Sequence, residues 1–382
     1  MRIPIRISQI FVAILFIISG LVKANDPLGL GYKMQEFFEL WTNGLSQGHF
    51  FARGMLISLF DFLHEHALAL AVMMITLEIV TGVALLLGWM KRFIIILLLL
   101  LIIFFTFLTG YAYLSGKFTN CGCFGDCLPI TPFSSFLKDL ALLVLILTLL
   151  IGQKYILTVS SRRWSSLLLV ASLIFSLALQ WYALNYLPLV DCLPFKKGNN
   201  IAEQMKPPPG ALADSTAIRF IYEKQGKRYE FAPENLPADF ETYTYIDRID
   251  RLVRKGNADP RIKGFALTDS SGQDQTQMFL NLPVVVAAFA LDASKEEAWI
   301  NSFQELAKKA QSKNIPVYFI TSNVTEISKA LQSHGINIPV LSCDFTVIRT
   351  AARTNPTVYV LKQGTIRNKY SYRTIGKATK EI

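Results

Sequence analysis

The chain has 382 residues, 52% of them apolar and only 17% charged, with a net charge of +10 and a mean hydropathy of +0.37. These figures exclude a disordered chain and a small disulfide-stapled one. The charge is uneven, because residues 1–190 carry 12 Lys/Arg and 8 Asp/Glu while residues 191–382 carry 26 and 20. Both halves are positive, at +4 and +6, and no basic tract points to nucleic acid as a partner.

A bilayer core about 30 Å thick takes roughly 20 apolar residues in a helix. Five runs have that character: Ile5–Val22, Ala67–Gly88, Phe93–Tyr113, Phe136–Leu157 and Ser165–Leu187. Residues 1–190 are therefore expected to form a membrane α-helical bundle of four to five transmembrane helices in contact with the lipid bilayer, with 23–66 and 114–135 as loops. Arg2 and Arg6, Lys91 and Arg92, and Lys154, Arg162 and Arg163 then share one side, which the positive-inside rule makes cytoplasmic. The expectation is a bacterial inner (plasma) membrane protein with a cytoplasmic N-terminus and an exterior, periplasmic C-terminal half. The first run also reads as a signal peptide ending near Val22-Lys23-Ala24. Cleavage there would leave four spans with the same sidedness.

All five cysteines, Cys121, Cys123, Cys127, Cys192 and Cys343, fall on the exterior side, where disulfides persist. The loop Cys121-Gly122-Cys123-Phe124-Gly125-Asp126-Cys127 holds three thiols within seven residues. Three readings of it stay open. In thiol–disulfide exchange, Cys121 and Cys123 form the reactive pair and Cys127 or Cys192 resolves the mixed intermediate. As a staple, Cys121–Cys127 or Cys123–Cys192 ties helix ends together. As a soft-metal site, the loop holds Cu(I) or Zn(II), although its spacing is not a standard zinc pattern.

Glu78 lies near the middle of the second run, where an unpaired carboxylate is costly, so it is either a functional group or half of an ion pair. A functional Glu78 would relay a proton released by thiol oxidation or contact a quinone. Lys23 and Asp139 are expected near the exterior surface, level with the cysteines, and are the candidate cofactor-binding residues. They would pair with each other, or Lys23 would lower a thiol pKa, or it would snorkel to solvent.

The run Cys121-Gly122-Cys123-Phe124-Gly125 ahead of Lys138-Asp139, with Phe16-Ile17-Ile18-Ser19-Gly20-Leu21-Val22-Lys23 and Glu78-Ile79-Val80-Thr81-Gly82, resembles the DoxX/MauE group of membrane proteins over about residues 1–155. The resemblance implies a four-helix bundle, a link to oxidation–reduction, and for the MauE branch the maturation of an exported disulfide-containing client. Cys127 and the fifth apolar run depart from that pattern.

Residues 191–212, with Lys196–Asn200 and Pro207-Pro208-Pro209, read as a linker, and 213–260 as a connecting α+β segment. In that segment Ala217–Tyr222 and Lys227–Phe231 form a hairpin and Tyr245–Lys255 has helical spacing. Residues 261–382 alternate strands and helices: strands at Gly264–Thr268, Pro283–Leu291, Ile315–Thr321 and Val340–Asp344, helices at Lys295–Lys313, Val324–His334 and Thr346–Arg353, and a final hairpin at Thr357–Leu361 and Thr365–Ser371. With Phe265–Gly272 and Asn355-Pro356, the order is similar to an α/β thioredoxin-like domain of peroxiredoxin or TlpA type. The family's attacking thiol would fall within Asp292–Glu297, where no cysteine stands. The domain is thus expected to bind or position a partner, and Cys343 to be a buried small hydrophobe. Two functions follow: redox handling or maturation of an exported client through the cysteine loop, or a non-catalytic assembly factor with structural cysteines.

Overall fold

The computed structural model describes residues 2–46, 51–116, 127, 130–159, 161–213, 215–254 and 256–382. The N-terminal part contains α1 (Arg2–Ala24), α2 (Pro27–Ser46), α3 (Arg53–Glu65), α4 (Ala67–Leu87), α5 (Lys91–Ser115), α6 (Pro132–Ile151) and α7 (Arg162–Tyr186). Of these, α1, α4, α5, α6 and α7 are long and apolar enough to cross a membrane. Helices α1, α4, α5 and α6 form a bundle, and α7 packs outside it on α4 and α1. Val12, Phe16, Leu85, Ile95, Leu98, Ile102 and Ile146 fill its centre.

Local chemistry sets the helix ends. At the start of α6, the Thr131 hydroxyl accepts from the Ser134 N–H at 3.3 Å and Pro132 takes the first helical position, whose N–H needs no partner. Gly88 ends α4 at φ +68°, with the Leu157 carbonyl only 2.0 Å from where a Cβ would stand. That contact seals one end of the bundle. There Lys91 donates to the Ile156 carbonyl, and the Gln9 amide bridges the Leu85 and Leu157 carbonyls. The three basic stretches therefore share one end, as their charge predicts.

Segment 23–66 is not a plain loop, because α2 and α3 occupy most of it. Phe37, Phe38, Trp41 and Phe60 interlock there, and α2 packs along α4. Helix α4 begins 11 residues ahead of Glu78, about 16 Å at 1.5 Å per residue, and α2 and α3 cover that extension.

After α7 the chain does not leave as a free linker. Phe195 and Ile201 are buried in the core of the following domain, and the short α8 (Ile201–Gln204) is capped by Asn200. Gly198 and Ile201 donate to the Ile366 and Gly364 carbonyls. Next come β1 (Ser215–Lys224), β2 (Lys227–Phe231) and β3 (Thr244–Arg254), an antiparallel sheet ordered β2-β1-β3. The helix expected over 245–255 is thus a strand. Ile246, Ile249 and Val253 repeat at helical spacing, yet the backbone pairs with β1 along its length, and a half-exposed ribbon leaves little burial pattern to read.

The last domain adds α9 (Thr276–Asn281), β4 (Val285–Ala290), α10 (Ile300–Ser312), β5 (Val317–Thr321), α11 (Val324–Ser333), β6 (Val340–Ser342), α12 (Phe345–Ala351), β7 (Thr357–Lys362), β8 (Thr365–Ser371) and α13 (Ile375–Glu381). The sheet order is β6-β5-β4-β7-β8, with β4, β5 and β6 parallel and β7 and β8 antiparallel to their neighbours. Val285, Ala287 and Phe289 face α9 and α12, whereas Val286, Ala288 and Ala290 face α10 and α13, so β4 is buried on both sides. A βαβ unit followed by a ββα unit, with a cis Asn355-Pro356 bond ahead of β7, is a thioredoxin-like fold. Residues 264–268 form isolated bridges, from Thr268 to Ser342 and to Asp274, and not a full strand.

Candidate functional site

Two constellations stand out, one inside the helix bundle and one at the end where the thioredoxin-like domain joins it. Inside the bundle, Gly20 and Gly82 bring α1 and α4 into close contact. A Cβ on Gly20 would lie 2.5 Å from Ile79, and one on Gly82 would lie 3.0 Å from the Ala13 carbonyl. This approach sets Lys23 against Glu78, with Nζ 2.5 Å from Oε1. Lys23 is 3% exposed and Glu78 1%, so Lys23 neither snorkels nor pairs with Asp139. The end of α1 lies level with Glu78, well below the covered start of α4, which is why a lysine at the helix terminus is buried.

Around this pair, the Lys23 ammonium sits 4.2 Å from the centre of the Phe105 ring. Asp139 accepts from the Thr109 hydroxyl at 3.1 Å and pairs with Lys138 at 2.8 Å. Lys23, Glu78, Lys138 and Asp139, with Ser19 and Phe105, line a cavity of about 20 Å³, room for one water. Glu78 Oε2 has no hydrogen-bond partner among the described residues and lies beside this cavity. Lys23 and Asp139 both line this cavity, Lys23 held by Glu78 and Asp139 by Lys138 and Thr109. A second polar group was not foreseen: the Gln180 amide on α7 donates to the Thr76 hydroxyl on α4 at 3.0 Å and to Ser176 at 3.1 Å. Gln and Ser within an apolar run are its only signal in the sequence.

At the joining end, Cys127 and Cys192 form a disulfide with a Cα–Cα distance of 4.8 Å. It ties the turn at Cys127, ahead of α6, to the chain that leaves α7, and it replaces both staples expected above. Cys121 and Cys123 lie outside the described residues. Beside Cys192, Asn25 holds Val190 through two hydrogen bonds of 2.8 and 3.0 Å, and Asp191 accepts from the buried Lys369 at 3.0 Å. Burial, countered in part by Asp191, pulls the Lys369 pKa down.

The thioredoxin-like domain docks through α12. Arg353 pairs with Asp26 at 2.8 Å, and Arg349 hydrogen-bonds Gln35 and lies 4.4 Å from the Tyr32 ring centre. Burial raises the Tyr32 pKa against the pull of both arginines. At α7, the Tyr372 hydroxyl and Arg373 both donate to the Asn185 side chain. The corner where an active thioredoxin carries its thiols is closed by polar contacts instead. Asn355 donates to the Asp292 carboxylate at 2.6 Å and to the Ser294 hydroxyl at 3.0 Å. Cys343 is buried, and its thiol is pushed up to about 11, so it stays protonated at neutral pH.

The chain is thus a membrane helix bundle followed by a thioredoxin-like domain. Its first part is similar to a known family: the model described as methylamine utilisation protein MauE matches residues 1–152. A domain of unknown function, DUF8463, matches residues 216–255, the three-stranded sheet. Comparison with curated proteins finds no match. Among solved structures, the crystal structure of yeast Sco1 is similar at 18% identity, covering 31% of this chain and 90% of that one, with a TM-score of 0.24.

Proposed function

We propose that the protein handles thiols and disulfides at the exterior face of a bacterial inner membrane, in the oxidation or maturation of an exported disulfide-containing client. The observation that carries this reading is the Cys127–Cys192 disulfide, which joins the three-cysteine loop to the root of the thioredoxin-like domain. Cys121 and Cys123 lie six and four residues from Cys127, within chain reach of about 13–20 Å. Exchange then needs no group beyond thiols. A thiolate of Cys121 or Cys123 attacks one sulfur of the 127–192 disulfide, the S–S bond breaks, and the displaced thiolate takes a proton. Electrons continue in the same way between the loop and a client dithiol, which becomes a disulfide as the loop is reduced, or the reverse. The MauE similarity over the bundle supports a redox or maturation role.

The thioredoxin-like domain, without a thiol at its corner, would position the client and not exchange with it. The rival reading is an assembly factor whose cysteines are structural, and the closed Asp292–Asn355 corner and protonated Cys343 favour it for that domain taken alone. Replacing Cys121 and Cys123 by Ser separates the two. Exchange predicts that the 127–192 disulfide of the variant stops following an added dithiol or oxidant in native membranes. A response equal to that of the unaltered chain would reject it.

A further inference from the structure

The three-stranded sheet ends on β3, an 11-residue strand whose outer edge pairs with no other strand among the described residues. A long exposed edge is a template for strand addition, and soluble domains normally shorten or block it. The order of residues on this edge is self-complementary. If a second copy of β3 runs antiparallel with Ile249 opposite its own counterpart, Arg248 falls opposite Asp250 and Asp247 opposite position 251, an arginine in the sequence. In this register the acidic positions of the sequence from 247 to 251 stand opposite basic ones.

Neighbouring registers lose this match. Shifting the pairing by one residue sets Asp247 against Asp250 or Arg248 against Arg251. Shifting it by two sets Arg248 against itself or Asp250 against itself. Arg248 and Asp250 are each about half exposed and already lie 2.7 Å apart on one face, so a two-fold copy would close them into a ring of four alternating charges. The regular stretch of β3 against β1 runs from Asp247 to Leu252, with register irregularities just outside it at Ile246 and Val253.

We propose that β3 is a homodimer edge: two copies pair antiparallel about Ile249 to make one continuous sheet, β2-β1-β3-β3-β1-β2. The contact is isologous, and complementary charge names a second copy of this chain as the occupant. Directly opposed residues in an antiparallel pair have Cα atoms about 4.5–5.5 Å apart, within disulfide reach.

The full chain in nanodiscs or mild detergent tests this. Ile249→Cys should give a reducible crosslinked dimer on mild oxidation, absent from the unaltered chain treated identically. By light scattering, Arg248→Asp and Asp250→Arg should each weaken the dimer at least tenfold, and the double swap should restore it. Circular dichroism checks that the variants stay folded. A monomeric unaltered chain would overturn the proposal, as would Ile249→Cys that does not crosslink, or a double swap as weak as the single variants. A strand from a different protein bound at this edge, with the chain itself monomeric, would overturn it too.

Discussion

Lys23 and Glu78 show how one residue pair sets the energetics of the bundle. Neither can be removed alone without leaving a charge in an apolar interior, while removing both leaves a small gap. Glu78→Gln should therefore cost about 3–5 kcal/mol of stability. Lys23→Met combined with Glu78→Leu should recover most of that in thermal unfolding in detergent. Equal melting of the single variant and the unaltered chain would show that the pair carries no weight. Asp269 offers a pH test outside the membrane. Its carboxylate accepts from the Ser271 hydroxyl, the Gln273 N–H and the Gln275 amide, which lowers its pKa to about 2. A folded pKa below the unfolded one, about 3.9, means that the stability it contributes is present above about pH 4 and is lost as pH falls toward 2. Asp269→Asn should flatten the acid side of the unfolding profile in that window, and an unchanged profile would refute it. Each charged residue of the buried pair could be picked out in the sequence because charge is rare in an apolar run. Their pairing could not, because it depends on how deep α1 ends against α4.

Among the elements, apolar length identified the five spans, and the regular βαβ order identified the thioredoxin-like domain. Helices α2 and α3 were missed because their apolar residues are mixed with Glu, Asn and Lys, and only the packing of Phe37, Phe38 and Trp41 reveals their buried face. Segment 191–201 looked like linker because its two anchors, Phe195 and Ile201, are isolated among polar residues. β3 looked helical because its apolar spacing suits both structures. Just past α12, Arg353 is 4% exposed and docks on the start of α2 by pairing with Asp26. Arg353→Ala should leave Asp26 without its partner, cost roughly 3 kcal/mol, and loosen the junction. Limited proteolysis should then cut faster near Pro207–Pro209 while the thioredoxin-like core stays resistant. Unchanged cleavage would place the junction's stability elsewhere.

Over the whole molecule, the apolar first half and the charged second half meet at one place. The basic loops close one end of the bundle, and the opposite end gathers the Cys127–Cys192 disulfide, the Asp26–Arg353 and Asp191–Lys369 pairs, and the thiol-free corner of the thioredoxin-like domain. Under the proposed function this end is where thiol exchange with a client would take place, and the buried Cys343 would take no part. Differential alkylation of native membranes followed by mass spectrometry tests this most directly. The prediction is a 127–192 linkage whose occupancy changes with Cys121 and Cys123 as the membranes are exposed to thiol or oxidant, with Cys343 labelled only after unfolding. A permanently closed 127–192 linkage with Cys121 and Cys123 reduced and unreactive throughout would contradict it.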